Sequence, residues 1–445
     1  MRVLIIGGGG REHALAWRLK QEDSSLELLA APGNPGIAEL AECVPIRATD
    51  VETLVGLAMD RQVDLTVVGP EAALEAGIVD RFREAGLAIF GPTKAAAEIE
   101  TSKAFAKQLM LEHAIPTARA EVHTDVARAR EAVRRYGTPV VIKASGLAAG
   151  KGVIICQSLE EADRTIEDML EGNRFGAAGA EVLIEEFMEG EELSVFAITD
   201  GESFVVLPGL QDHKRLLDGD NGPNTGGMGA YVPVAVAMLP TRDGGDDPAT
   251  QRATAGDIIG RTLRAMAARG RPFTGLLYAG LMLTQDGPRV VEFNCRFGDP
   301  ETQALLPVLK LQSRLVDLFL AVGRGQRIDG SIETSVAGAC VTTVLAATNY
   351  PETPETGDAI TLPALEEGII VFHAGTARDA EGRLVTAGGR VIAVSALGQT
   401  VEVASQRSLD YAERIAFKGK QLRTDIGWRE IDRQRLKASA RASRD

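Results

Sequence analysis

Aromatic residues make up only 4% of the 445-residue chain, and its 48 basic residues are outnumbered by 62 acidic ones, for a formal net charge of -14. A nucleic-acid binder needs the opposite balance, so DNA and RNA are excluded as expected partners. Cysteine is also scarce: Cys43, Cys156, Cys295 and Cys340 stand far apart with no C-x-x-C pair, which argues against a zinc site and a disulfide framework. They read as core thiols in a reducing compartment. No apolar run is long enough to cross a bilayer, and Met1–Ile6 passes straight into glycines, too short for a signal-peptide core. The expectation is a cytoplasmic protein with no membrane partner, handling phosphate on small metabolites. Two nucleotide fingerprints are missing as well. Gly7 and Gly9 are followed by Glu12 where G-x-G-x-x-G needs its third glycine, which disfavours a nicotinamide dehydrogenase. Gly146 and Gly150 have three spacers and Lys151 precedes Gly152, so G-x-x-x-x-G-K-[ST] fails too.

What is present fits a soluble enzyme of about three domains. Val3–Ile6, Leu26–Ala31, Leu65–Val68 and Leu87–Phe90 read as strands that each end in a Gly or Pro turn, and helices follow in a doubly wound rhythm. Gly7–Gly10 ahead of a helix reads as a generic anion cradle, or as a turn that packs through its glycines. Thr93 is the expected N-cap of one Ala-rich helix running to about Glu112. Pro139–Ile155 reads as a strand, a glycine loop with Lys151 and a returning strand, a flap able to close over ATP phosphates with Lys143 at its base. The carboxylates of Glu185, Glu186, Glu189, Glu191 and Glu192 crowd one segment, either a crossing between lobes or a solvated acidic loop. Pro240–Ala255 shows no period and reads as a surface loop. After about Gly325 short strands predict a smaller α+β domain.

The densest chemistry lies in Arg289–Thr302. A strand there sends Glu292, Asn294 and Arg296 to one face, opposite Val291, Phe293 and Cys295. An acid and an amide oxygen suit Mg²⁺, the arginine suits phosphate, and Gly298-Asp299-Pro300-Glu301 turns further carboxylates back toward the same end. In isolation such a face is also what a solvated edge strand presents.

Taken in order, Gly9-Gly10-Arg11-Glu12-His13, Gly69-Pro70-Glu71, Ile89-Phe90-Gly91-Pro92-Thr93, Ser102-Lys103-Ala104-Phe105, Ile142–Val153, Glu185-Glu186-Phe187, Gln211–Arg215, Gly222–Tyr231 and Glu292–Thr302 closely resemble the phosphoribosylamine-glycine ligase family of ATP-grasp enzymes. The resemblance runs from the first strand to Asp425-Ile426-Gly427-Trp428. It implies an N-terminal α/β domain over 1–100, an ATP-grasp domain over 101–121 and 191–325, a lid over 122–190, an α+β domain over 326–430 and a polar tail over 431–445. The implied reaction activates glycine with ATP as glycyl phosphate, which the amine of 5-phosphoribosylamine attacks; the competing expectation is another ATP-grasp ligase or carboxylase of purine metabolism. The resemblance further implies Glu292 and Asn294 as ligands of Mg²⁺ or Mn²⁺. ATP would meet Lys103, Lys143 and Lys151 through its phosphates, Glu185, Glu186 and Phe187 through adenine, and Glu192 at the ribose. Arg296, Asp212, Lys214, Asp299 and Gly298 would hold glycine and the acyl phosphate, while Gly9, Gly10, Arg11, Glu71, Asn224, Thr225 and Gly226 would meet phosphoribosylamine. A monomer or a homodimer is expected. Two departures stand out: the family's Gly-Asn-Gly-Gly is Gly7-Gly8-Gly9-Gly10 here, and Ser145 replaces an aspartate.

Overall fold

Val3, Leu4, Ile5 and Ile6 are wholly buried, as an unbroken apolar run demands of a parallel strand covered on both faces. The computed structural model describes residues 1–146, 152–172, 176–234 and 248–442. Its N-terminal sheet has five parallel strands in the order Glu42–Cys43, Glu27–Pro32, Arg2–Gly7, Leu65–Val68 and Ile89–Phe90. The chain reverses direction across this sheet beside Arg2–Gly7, so the crevice opens at Gly7 and Gly69. The cradle expected there for a phosphate already holds the chain's own Glu12. That carboxylate accepts from Gly9 N at 2.6 Å and caps the helix Gly10–Glu22.

The described residues between Ala120 and Glu186 form a separate unit within the expected lid region. Four antiparallel strands run in the order Ala120–His123, Val182–Glu186, Val140–Ala144 and Val153–Cys156, covered by the helices Val126–Tyr136 and Leu159–Leu170 around a core of their own. The expected flap strands are therefore present, while Lys151 lies outside the described residues.

The central sheet runs Phe204–Val206, Glu191–Thr199, Gly275–Thr284, Gly287–Asn294. A fourth sheet was not expected: Gln211–Asp212 and Gly229–Val232 pair into one with the late strands Ala339–Ala346, Arg390–Gly398 and Ile369–His373. Among the described residues no helix is long and apolar enough to cross a membrane.

Three readings need correction. The helix after Thr93 is two helices, Lys94–Thr101 and Lys103–Glu112, because Ser102 turns extended and its hydroxyl accepts from Phe105 N at 3.1 Å. The lid reinforces this break: Lys103 N and Ala104 N donate to the carbonyl and hydroxyl of Ser145, at 2.8 and 3.2 Å. From Pro248 to Ala255 the supposed loop is the start of the helix Pro248–Ala268, with proline at the first position, where no N–H is needed. The Asp243–Asp247 run lies outside the described residues. In the Gly287–Asn294 strand a bulge between the pairs Glu292–Gly280 and Val290–Leu281 makes Val291 the extra residue, so Val290 rather than Val291 joins Phe293 and Cys295 in the core. The segment expected as a polar tail belongs, as far as Ala442, to the helix Trp428–Ala442.

Candidate active site

Beyond the bulge the period of two resumes, which turns Glu292 and Asn294 away from the core. The residue paired with Glu292 is Gly280, and a Cβ there would lie 3.5 Å from the Glu292 Cγ, so the missing side chain leaves that face open. Burial works against the Glu292 charge, yet Lys214, Lys143, Lys103 and Arg296 together hold its carboxyl below the ordinary range. Four cations from four separate segments thus converge on one carboxylate. Lys103 opens its helix and donates from Nζ to Gly146 O at 3.2 Å, and burial lowers its pKa. Lys143 ends a lid strand and reaches Val291 O at 3.2 Å and Glu185 at 2.9 Å. An ionised acid and an amide on one face fit a hard divalent cation. Among the described residues no group of three or more His, Cys, Asp or Glu side chains could hold a metal. The pair therefore suits a cation that takes its remaining ligands from phosphate and water.

The acidic crossing is neutralised pair by pair. Glu185 points inward to Lys143 and to Lys107 at 3.3 Å, and burial pushes Lys107 down to about 8. Glu186, next in a strand, points the other way, to Arg119 at 2.6 Å and Arg289 at 3.3 Å, and is set apart from the lysine cluster. Those three line a cleft of about 580 Å³ with Pro116 and Asp257. Phe187 stands exposed beyond the strand. Glu191 binds Arg433 and Glu192 binds Lys214.

Lys214 links this crossing to Asp212 and the residues expected to meet the substrates. Burial pushes the Asp212 carboxyl up to about 7; Lys214 opposes that, and Glu301 and Glu192 add to it. Glu301 accepts from the Tyr278 hydroxyl at 2.7 Å, and Tyr278 also meets the Ser194 hydroxyl at 2.8 Å. A Cβ on Gly298 would sit 2.7 Å from the Glu301 carboxyl, so a side chain there would push this acid aside. Arg296 lies between Glu71 at 3.2 Å and Glu100 at 2.9 Å. Asp299 faces Arg390 at 3.5 Å and Arg11 N at 3.4 Å. Arg11 itself is buried, with its guanidinium on Glu12 and on Phe297 O at 2.9 Å, so it fastens the first turn to the segment that follows the Gly287–Asn294 strand. Gly9 and Gly10 lie in the same turn, where a Cβ would meet Glu12 and Gln303.

Asn224 is half-buried opposite Arg215, and Thr225 N and Oγ1 both donate to Lys214 O, at 2.7 and 2.8 Å. Gly226 N donates to the Tyr350 hydroxyl at 2.9 Å while Arg390 donates to Gly226 O. The site therefore includes residues that sequence reasoning missed: Glu100, Lys107, Tyr278, Tyr350 and Arg390. No local spacing marks them, because each acts on a partner far along the chain. The amide missing at Gly8 has a counterpart in Asn34, whose Nδ2 donates to Gly8 O at 2.9 Å.

Three family models match the chain: the phosphoribosylglycinamide synthetase N domain over residues 1–100, its ATP-grasp (A) domain over 101–302 and its C domain over 340–429. The phosphoribosylamine–glycine ligase of Xanthomonas campestris is 49% identical over 443 residues, 98% of this chain and 99% of that one. The enzyme of the same name from Vibrio vulnificus is 48% identical over 442 residues, 98% of this chain and 100% of that one. The crystal structure of the Thermotoga maritima phosphoribosylamine–glycine ligase matches with a TM-score of 0.81 at 36% identity, over 96% of this chain and 100% of that one. The biotin carboxylase domain of the Hydrogenobacter thermophilus 2-oxoglutarate carboxylase, solved with MgADP, ADP and bicarbonate, shares the fold at a TM-score of 0.71 and 19% identity, over 95% of this chain and 91% of that one.

Proposed function

The chain belongs to the phosphoribosylglycinamide synthetase family, and from that premise we propose how its residues divide the work of an ATP-dependent ligase that joins glycine to 5-phosphoribosylamine in purine biosynthesis. The convergence of Lys103, Lys143, Lys214 and Arg296 on Glu292 carries the reading. Bringing a carboxylate up to a polyphosphate opposes like charges, so positive charge held in place beforehand lowers the barrier most. Glu292 and Asn294 hold the divalent cation, Mg²⁺ in this reading with Mn²⁺ as a substitute. That cation, when bound, neutralises charge on the ATP phosphates.

Lys103 and Lys143 meet the phosphates, joined by Lys151 from the flap. Adenine lies against the crossing at Glu185, Glu186 and Phe187, which contributes backbone and an aromatic edge, and Glu192 accepts from the ribose hydroxyls. Asp212, Lys214, Gly298 and Asp299 surround glycine. Its carboxylate attacks the terminal phosphorus to form glycyl phosphate and release ADP, with Arg296 countering the added charge. The amine of phosphoribosylamine then attacks the acyl carbon, phosphate leaves, and the amine gives up a proton. Gly9, Gly10, Arg11, Glu71, Asn224, Thr225 and Gly226 border this second substrate. Since Glu12 and Asp299 already occupy the helix start, that end of the site suits sugar hydroxyls, which donate to carboxylates, better than it suits phosphate.

The domain limits proposed are 1–100, 101–121 with 191–325, 122–190, 326–430 and the tail, with a cytoplasmic location and a monomeric or homodimeric state. The test is ADP release measured with glycine alone, with freshly generated phosphoribosylamine alone, and with both. Formation of ADP and a glycinamide product that requires both is the expected outcome. Full-rate ADP release with neither would overturn the reading.

A further inference from the structure

Arg296 emerges just past the metal strand and meets two carboxylates that differ in one respect. The Glu100 side chain is 5% exposed and that of Glu71 is 33% exposed. Glu100 uses both oxygens: Oε1 accepts from Arg296, while Oε2 accepts from Cys295 N at 2.8 Å and Cys295 Sγ at 2.9 Å. Withdrawing it would strand a buried backbone N–H as well as the guanidinium. Glu71 meets Arg296 through Nε from the more open side, at 3.2 Å. Two carboxylates on one guanidinium leave the trio with a net negative charge, which repels the anions Arg296 is meant to receive. One of them has to yield, and burial selects which.

We propose that Glu100 is a positioning residue that locks the Arg296 guanidinium in place, and that Glu71 is its exchangeable counter-ion, displaced by the glycine carboxylate or the acyl phosphate. The inference rests on the assignment of Arg296 to the acyl phosphate. Glu71, once displaced, is released toward phosphoribosylamine, so filling the first substrate subsite frees an acceptor in the second.

The test is a double-mutant cycle of Glu100→Gln and Arg296→Lys, with steady-state kinetics in ATP and glycine and a thermal melt of each variant. Glu100→Gln is expected to lower kcat by about 100-fold, the effect of a displaced catalytic group, with the KM for ATP within about twofold. In the Arg296→Lys background the same change is expected to add under about threefold, since the group it acts through is already gone. Glu71→Gln is expected to lower the KM for glycine severalfold. Full multiplication of the two losses, or a Glu100→Gln variant with wild-type kcat, overturns the positioning role. An unchanged glycine KM in Glu71→Gln overturns the exchange. If Arg296→Lys itself keeps full activity, the assignment of Arg296 fails and the inference with it. Should Glu100→Gln not fold, Glu100→Asp, which keeps the charge but shortens the reach, enters the same cycle.

Discussion

Near neutral pH, Asp212 sits at the edge of ionisation. Its carboxyl is pushed up to about 7, first by burial and then by Glu301 and Glu192, against the pull of Lys214. In the proposed division of work Asp212 is one of the groups around glycine, and to hold the ammonium group there it has to be ionised. Above about pH 7 it is; below, it takes up a proton and loses that attraction. The KM for glycine is therefore expected to rise as pH falls through 7, approaching about tenfold per unit, while the KM for ATP stays nearly flat. Asp212→Asn is expected to show a high glycine KM with the pH dependence removed, which initial rates across a buffer series will check. At this scale the sequence was legible where the chemistry is local. Glu292 and Asn294 share a face through strand periodicity alone. Glu100 was invisible because its partner Cys295 lies 195 residues away, and nothing in an Ala-rich helix distinguishes it.

The break at Ser102 is an element-scale device. A continuous helix from Thr93 to Glu112 would direct Lys103 by helical phase alone; the break lets the second helix start at Lys103, against Ser145 of the lid. Ser102→Ala removes the cap and is expected to cost about 1 kcal/mol, a fall of about 1 °C in Tm for a chain of this size, and to raise the KM for ATP as Lys103 loses its fixed start. Calorimetry and ATP titration of the rate test both parts. Strands closed by Gly or Pro were readable, because such punctuation stops an element whatever surrounds it. The helix break and the bulge at Val291 were not. The first depends on a hydroxyl competing with an otherwise favourable helix, and the second on the register of a neighbouring strand.

Across the whole molecule, the strands around Asp212 are completed by the end of the chain. Gly427 N donates to His213 Nε2 at 3.0 Å, and the fully buried Arg423 holds Asp220 and Asp425 at 2.8 and 2.7 Å. Replacing Arg423 with Met keeps the apolar stem but leaves Asp425 without its cation and Asp220 with Arg429 alone. It is expected to cost about 3 kcal/mol in urea unfolding, although Arg423 touches neither substrate. Domain order was readable because each domain has its own rhythm of strands and turns. The sharing of one sheet between the middle and the end was not, since pairing across such distances leaves no local pattern. That sharing also sets a clock on synthesis. His213 and Gly427 are 214 residues apart, so on the ribosome the segment from Gln211 to Val232 is finished long before the strands and latch it needs. Until residues as late as Gly427 have been made, the sheet around Asp212 lacks its partners, and the core that joins Val3 and Ile5 to Phe372 and Ala393 is incomplete.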